Sequence, residues 1–243
     1  MSARGAVVLL LWLLLSGCTT SYFTDAFRPD EYVVRPGDTL YSIAWRYGLD
    51  HEALMRWNNI DDPRRLQIGE RLVLQPPGES GGRKSAASGS GGGRSQTGSA
   101  NTGGQSDSPG ARGGSTQAAG PQRWHWPTEG SVIRGFDDGS VSGRGIDIAG
   151  DAGQWVHASA AGEVVYSGSG LEAYGRLVII RHRGDYLSAY AYNRELVVEE
   201  GDRVDAGQRI ARMGQGRDGR TVLHFEIRRG GTPVDPQRHL PRR

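Results

Sequence analysis

Between Pro76 and Gln122 the chain is glycine, serine, alanine, threonine and glutamine with scattered arginines and almost nothing apolar. That stretch constrains everything around it. It has too little apolar surface to offset the entropy of ordering it, so residues 76–122 are expected to be a disordered linker. The chain must then fold as separate units on either side, making it a multidomain protein. A Gly/Ser-rich tether of this length spans about 35–40 Å on average and about 150 Å when stretched, so the second unit is expected to reach a partner away from the first. A processing site is the alternative reading of such a run. The 38 glycines and a hydrophobic share of 36% fit small domains on a tether better than one compact body.

The charges nearly balance, 29 basic against 27 acidic for a net of +2, which gives no argument for a nucleic-acid partner. Cys18 is the only cysteine, so no internal disulfide can form. It follows a segment with one basic residue, Arg4, and an apolar run from Ala6 to Leu15. That run is too short to span a bilayer and reads as the core of a signal peptide. Its end, Leu15-Ser16-Gly17-Cys18, resembles the bacterial lipobox. The resemblance implies removal of residues 1–17, a lipid on Cys18 and a tether over 18–30, several acyl chains anchoring more firmly than one. Thr19 stands where an aspartate commonly retains such proteins in the inner membrane, so the expected location is the periplasmic face of the outer membrane. An ordinary secretory signal with an incidental cysteine is the alternative.

Residues 31–75 are dense in apolar side chains. Tyr32-Val33-Val34 predicts a strand and Pro36-Gly37-Asp38 a turn. Asp38 or Thr39 then caps a helix through Leu40, Ile43, Ala44 and Tyr47, which Gly48 stops. A second helix covers His51 to Trp57 and ends at Asn58-Asn59, and Arg71 to Leu74 closes the unit as a strand. This small α+β unit, strand-helix-helix-strand, with YVVRPGDTLYSIAWRYG, WNNI and LQIGERLVL, resembles a LysM module. The resemblance implies binding to N-acetylglucosamine-containing glycan such as peptidoglycan, through Gly37, Asp38, Thr39 and Leu40 on one loop and Asn58, Asn59 and Ile60 on the other. The alternative for Gly37 and Asp38 is a purely turn-shaping role. Trp45 and Trp57 are expected in the core.

Residues 123–243 carry short β-type runs separated by glycine turns, several alternating apolar and polar residues, which predicts an all-β domain. The stretches WPTEGSVIRGF, GIDIAG, AAGEVVYSG, YGRLVIIRH, YLSAYAYN, GDRVDAGQRIARMG and LHFEIRRGGTPVDP resemble the LytM domain of lysostaphin-like zinc endopeptidases. With the lipobox and LysM module, the pattern resembles NlpD-type murein hydrolase activators.

Hydrolysis of a peptide by zinc takes three protein ligands, an open position for water, and groups that move protons. In the family, a histidine four residues before the ligand aspartate supplies one ligand. Here Asp147 is kept, but Gly143 stands at the histidine position. The second histidine of the His-x-His motif survives as His224, while its first, catalytic in the family, is Val222. The other catalytic histidine is replaced by Tyr192, and a phenol of ordinary pKa is a poor base at neutral pH. No metal is therefore expected, with Asp147 and His224 as hydrogen-bonding partners in a water-exposed pair. His182 corresponds to a common non-ligand histidine. The resemblance implies a non-catalytic regulator whose empty groove (Gly143, Asp147, Tyr192, Val222 and His224) binds a periplasmic zinc N-acetylmuramoyl-L-alanine amidase, the zinc belonging to the partner. Cell separation or wall remodelling would be the output. An active endopeptidase with variant ligands and a purely structural wall-to-membrane tether are the alternatives.

Overall fold

The computed structural model describes residues 28–77, 122–137 and 144–243. The signal segment, Cys18, most of the expected linker and Gly143 lie outside the described residues. No helix among the described residues is long and apolar enough to cross a membrane.

The first unit has the expected element order. Strand β1 (Glu31–Val33) pairs antiparallel with β2 (Arg71–Val73), and helices α1 (Leu40–Tyr47) and α2 (His51–Trp57) fill the interval. Thr39 rather than Asp38 caps α1. Its hydroxyl accepts from the Ser42 amide at 3.0 Å, and the Ser42 hydroxyl accepts from the Thr39 amide at 2.9 Å. These reciprocal bonds satisfy helix donors that have no partner within the helix. Gly48 ends α1 with φ of 64°, a conformation that costs glycine little. Asp50 caps α2 by accepting from the Ala53 amide at 2.7 Å.

The second unit is a strongly curled antiparallel sheet. Strands β3 (Val132–Arg134), β4 (Ile146–Ala149), β11 (Val222–Arg229), β8 (Tyr186–Leu196), β7 (Arg176–Arg181), β6 (Gly162–Gly168) and β9 (Arg203–Val204) lie in that spatial order. Strand β10 (Arg209–Met213) pairs with β5 (Trp155–His157) and the end of β8, and β12 (Thr232–Val234) folds back on β11. One face buries Ile146, Ile148, Val164, Ile180, Tyr190 and Phe225 in the main core. His182, just past β7, is buried, with Nδ1 2.9 Å from the Ala161 carbonyl and Nε2 2.6 Å from the Ser188 hydroxyl. Burial pulls its pKa down to about 4, so it is a neutral structural side chain.

The other face of β6, β7 and β8 also carries apolar side chains, and the first unit, the one that resembles a LysM module, covers it. Tyr41 and Trp45 of α1 bury themselves against Tyr166, Leu171, Leu177 and Ile179. Helix α1 thus serves two cores. Leu40, Ile43 and Ala44 face its own unit, and Tyr41 and Trp45, four apart, face the sheet. Trp45 is buried as expected, but at the junction of the units. Trp57 is half-buried against the LysM core. The structure therefore places the two units in contact, where the tether reading has the second searching at a distance.

Polar contacts complete the junction. The Thr39 hydroxyl donates to the Val165 carbonyl at 3.2 Å and Arg46 to the Gly170 carbonyl at 3.3 Å. Gly231, with φ of 77° in the β11–β12 turn, comes so close to the LysM unit that a Cβ there would lie 2.4 Å from the Leu49 carbonyl carbon.

Candidate functional site

Sheet register assembles the site. In the β4–β11 pairing Asp147 stands opposite His224, and in the β3–β4 pairing Arg134 stands opposite Asp147. Along β11, Val222, His224, Glu226 and Arg228 share one face because strand side chains alternate. Tyr192 arrives differently. It sits at an irregularity of β8, between the Tyr190 and Asn193 pairings to β7, with φ of 65°. Bulged residues in this conformation cost a β-type strand about 1 kcal/mol or more, and they redirect a side chain away from the regular pleat. Here the ring is turned toward His224, with centroids 5.8 Å apart.

Asp147 and His224, the two residues expected at ligand positions, are bonded to each other and to neighbours. His224 Nδ1 lies 2.7 Å from Asp147 Oδ1, and Nε2 lies 3.1 Å from Glu226 Oε1. The second Asp147 oxygen meets the Arg134 guanidinium at 2.7 Å. Beyond Glu226, Arg228 donates through Nε and NH2 to Oε2 at 3.0 and 2.9 Å. Tyr174 donates to Oε1 at 2.8 Å. Arg228 reaches the LysM unit as well: NH1 donates to the Trp45 carbonyl at 2.9 Å and the guanidinium stacks 3.6 Å from the Trp45 ring. An ion chain thus runs Arg134–Asp147–His224–Glu226–Arg228 and ends on LysM.

Electrostatics follow from that chain. Burial disfavours the His224 imidazolium, but hydrogen bonds and attraction from Asp147 and Glu226 outweigh it, and the pKa ends above the ordinary histidine value. Burial likewise pushes the Asp147 carboxyl up, and His224 and Arg134 pull it back below its ordinary value. For Glu226 burial pushes the carboxyl up most strongly, but the Arg228 charge together with His224 and the Tyr174 hydroxyl outweighs it, leaving a pKa of about 2. Tyr174, buried beside Glu226, rises to about 12. Burial also raises Tyr192, which moves it further from use as a base at neutral pH.

This arrangement does not fit zinc. A metal-bound imidazole must be neutral with a free lone pair, whereas both His224 nitrogens lie against carboxylates that favour the imidazolium. The guanidinium of Arg134 already neutralises the Asp147 oxygen that would otherwise meet a cation.

Two expectations need correction. Asp147 and His224 are buried at 7% and 5% exposure, not water-exposed, with β3 and β8 paired alongside and the Tyr174 and Tyr192 rings against His224. Val222 is also buried, forming the groove's floor rather than a free surface. Sequence reasoning missed Arg134, Glu226, Arg228 and Tyr174. The polar alternation His224, Glu226, Arg228 along an otherwise apolar strand was the available signal, since alternate positions share a face.

Above these residues lies a cleft of about 840 Å³ whose far wall is LysM, including Tyr32, Arg46 and Tyr47. The expected glycan loops are partly committed elsewhere. Asp38 accepts from the Tyr32 hydroxyl at 2.6 Å, Thr39 caps α1, and Leu40 is in the core. The Asn58 amide bonds the Leu54 and Val73 carbonyls at 2.8 and 2.9 Å. Ile60 packs part-buried on the LysM core, and Gly37 and Asn59 are exposed.

Comparison with known proteins agrees with both units. Residues 142–236 match Peptidase family M23 and residues 32–75 match the LysM domain. The chain is 41% identical to the lipoprotein NlpD/LppB homolog of Pseudomonas aeruginosa, covering 88% of this chain and 77% of that one. It is 37% identical to the lipoprotein YgeR of Escherichia coli, with 98% and 92% covered. The murein hydrolase activator NlpD of Escherichia coli is also 37% identical, with 90% and 69% covered. With identity of this extent running through both units, the chain belongs to the NlpD-type lipoproteins, which join a LysM module to an M23 peptidase-like domain.

Proposed function

We propose that the protein is a non-catalytic activator of a periplasmic zinc N-acetylmuramoyl-L-alanine amidase. Lipid on Cys18 anchors it at the periplasmic face of the outer membrane, and LysM holds it to peptidoglycan. The ion chain carries this reading, because the residues at ligand positions are bound to one another and to arginines instead of facing a metal. The name of the murein hydrolase activator NlpD supports it for the family. Gly143, Val222 and Tyr192, in place of the ligand and catalytic histidines, remove the remaining chemistry. The groove then acts by shape. To activate, it must bind the open amidase more tightly than the closed one, and the zinc that cleaves the wall is the amidase's own. On LysM, Gly37 and Asn59 offer exposed loop backbone to sugar hydroxyls beside Ile60, with Asp38, Thr39, Leu40 and Asn58 shaping the loops.

Tyr192 provides the test, since its part-buried ring lines the cleft beside His224 from a strained backbone position. Tyr192→Asn keeps a residue tolerant of positive φ and removes the ring. Amidase stimulation is expected to fall tenfold or more, with the unfolding temperature unchanged within a few degrees. Unchanged stimulation would place the contact outside the groove.

A further inference from the structure

The cleft is shared between the units, and its charges do not cancel. Arg46 pairs with Asp38 at 3.2 Å, Arg134 with Asp147 at 2.7 Å and Arg228 with Glu226 at 2.9 Å. Arg220 pairs with Asp218, its Nε 2.7 Å from Oδ2. Three lining guanidiniums remain: Arg35 from LysM, and Arg144 and Arg217 from the peptidase-like domain. None of the three has a carboxylate within ion-pair distance among the described residues, and one similarly unpaired acid, Glu172, shares the lining with them.

We propose that the two docked units form one composite cleft whose surplus arginines take an acidic polypeptide segment of the partner hydrolase. LysM then recognises the partner as well as the wall. The inference rests on the activator reading and names the chemistry of the contact. Guanidinium is the side chain suited to such a ligand, since it is weakly hydrated and presents paired donors to a carboxylate. A concave wall with a surplus of one charge also favours an incoming segment of the opposite charge. The walls are held in place before any partner arrives, because Thr39, Arg46 and Arg228 each donate across the junction. That removes an ordering cost from binding.

The test uses the full-length lipoprotein and the hydrolase it stimulates, with affinity read by calorimetry and activity by dye release from labelled peptidoglycan. Arg35→Glu, Arg144→Glu and Arg217→Glu alter side chains without ion-pair partners, so folding should be unaffected. Each is expected to weaken hydrolase binding about fivefold or more and the triple variant about a hundredfold, with the loss shrinking at high salt. Binding to sedimented sacculi should stay the same. A second pair of variants separates a wall from a lid. Gly231→Asn drives a side chain into the Leu49–Asp50 backbone and should part the units. Gly230→Asn sits in the same turn with φ of 53° and has only Asp50 Oδ2 within 4 Å, at 3.8 Å. Parting the units should weaken hydrolase binding and make Arg35→Glu silent, while Gly230→Asn should behave as the unaltered protein.

Three results would overturn the proposal: hydrolase affinity unchanged by Arg35→Glu, sacculus binding lost in its place, or stimulation raised by Gly231→Asn, which would make LysM a lid. If the unaltered protein binds and stimulates no hydrolase, the activator reading itself fails and takes the inference with it. Stimulation that persists through the charge reversals removes the inference alone.

Discussion

Arg228→Leu is expected to destabilise the protein by about 3–5 kcal/mol, read as a lowered urea midpoint. Arg228 is 1% exposed and holds Glu226, the Trp45 carbonyl and the Tyr174 hydroxyl at once. Leucine leaves the Glu226 carboxylate buried without its principal counter-charge, which is the expensive outcome for a buried pair. Removing both charges is different. Arg228→Leu with Glu226→Leu should recover most of the loss, because the desolvation of two ions disappears together. The single variant should also loosen LysM, read as faster amide exchange at Tyr41 to Trp45. A single variant as stable as the unaltered protein would mean that the chain of charges does not hold the junction.

Placing histidines at the proposed ligand and catalytic positions should not create a zinc site. Gly143→His, Tyr192→His and Val222→His together rebuild the family's ligand and catalytic positions. Arg134 would still neutralise Asp147. The triple variant is expected to hold well under one zinc per chain at micromolar metal. Adding Arg134→Leu, which frees the Asp147 oxygen, should raise zinc affinity. Metal content after dialysis measures this. One zinc per chain in the triple variant alone would show that the arginine is no barrier.

Much of this was legible in the sequence. The order of both units followed from turn residues and alternation, because Pro36-Gly37-Asp38, Gly48 and Asn58-Asn59 interrupt apolar runs at positions that only turns and caps tolerate. Thr39 and Asp38 could not be separated as caps, since either side chain can accept from the first turn. The residues at the expected ligand and catalytic positions were visible one at a time. The ion chain that joins two of them was not. Arg134 and Asp147 are 13 positions apart and meet only through the β3–β4 register, and His224 reaches Asp147 only through β4–β11. Register of that kind depends on the whole sheet. Docking of the units was likewise hidden, because Tyr41 and Trp45 read as ordinary core residues of a short helix. Their spacing of four on a second face was the one available sign.

The central claim is that shape survives here without peptidase chemistry, and one assay addresses it most directly. Dye-labelled peptidoglycan is incubated with the purified lipoprotein, with each periplasmic amidase of the same cell, and with both together, with and without a zinc chelator. The lipoprotein alone should release no dye above buffer. One amidase should release several times more dye in its presence, and the chelator should abolish that gain through the amidase's metal. Chelator-sensitive release by the lipoprotein alone would contradict the account, as would the absence of stimulation with every amidase.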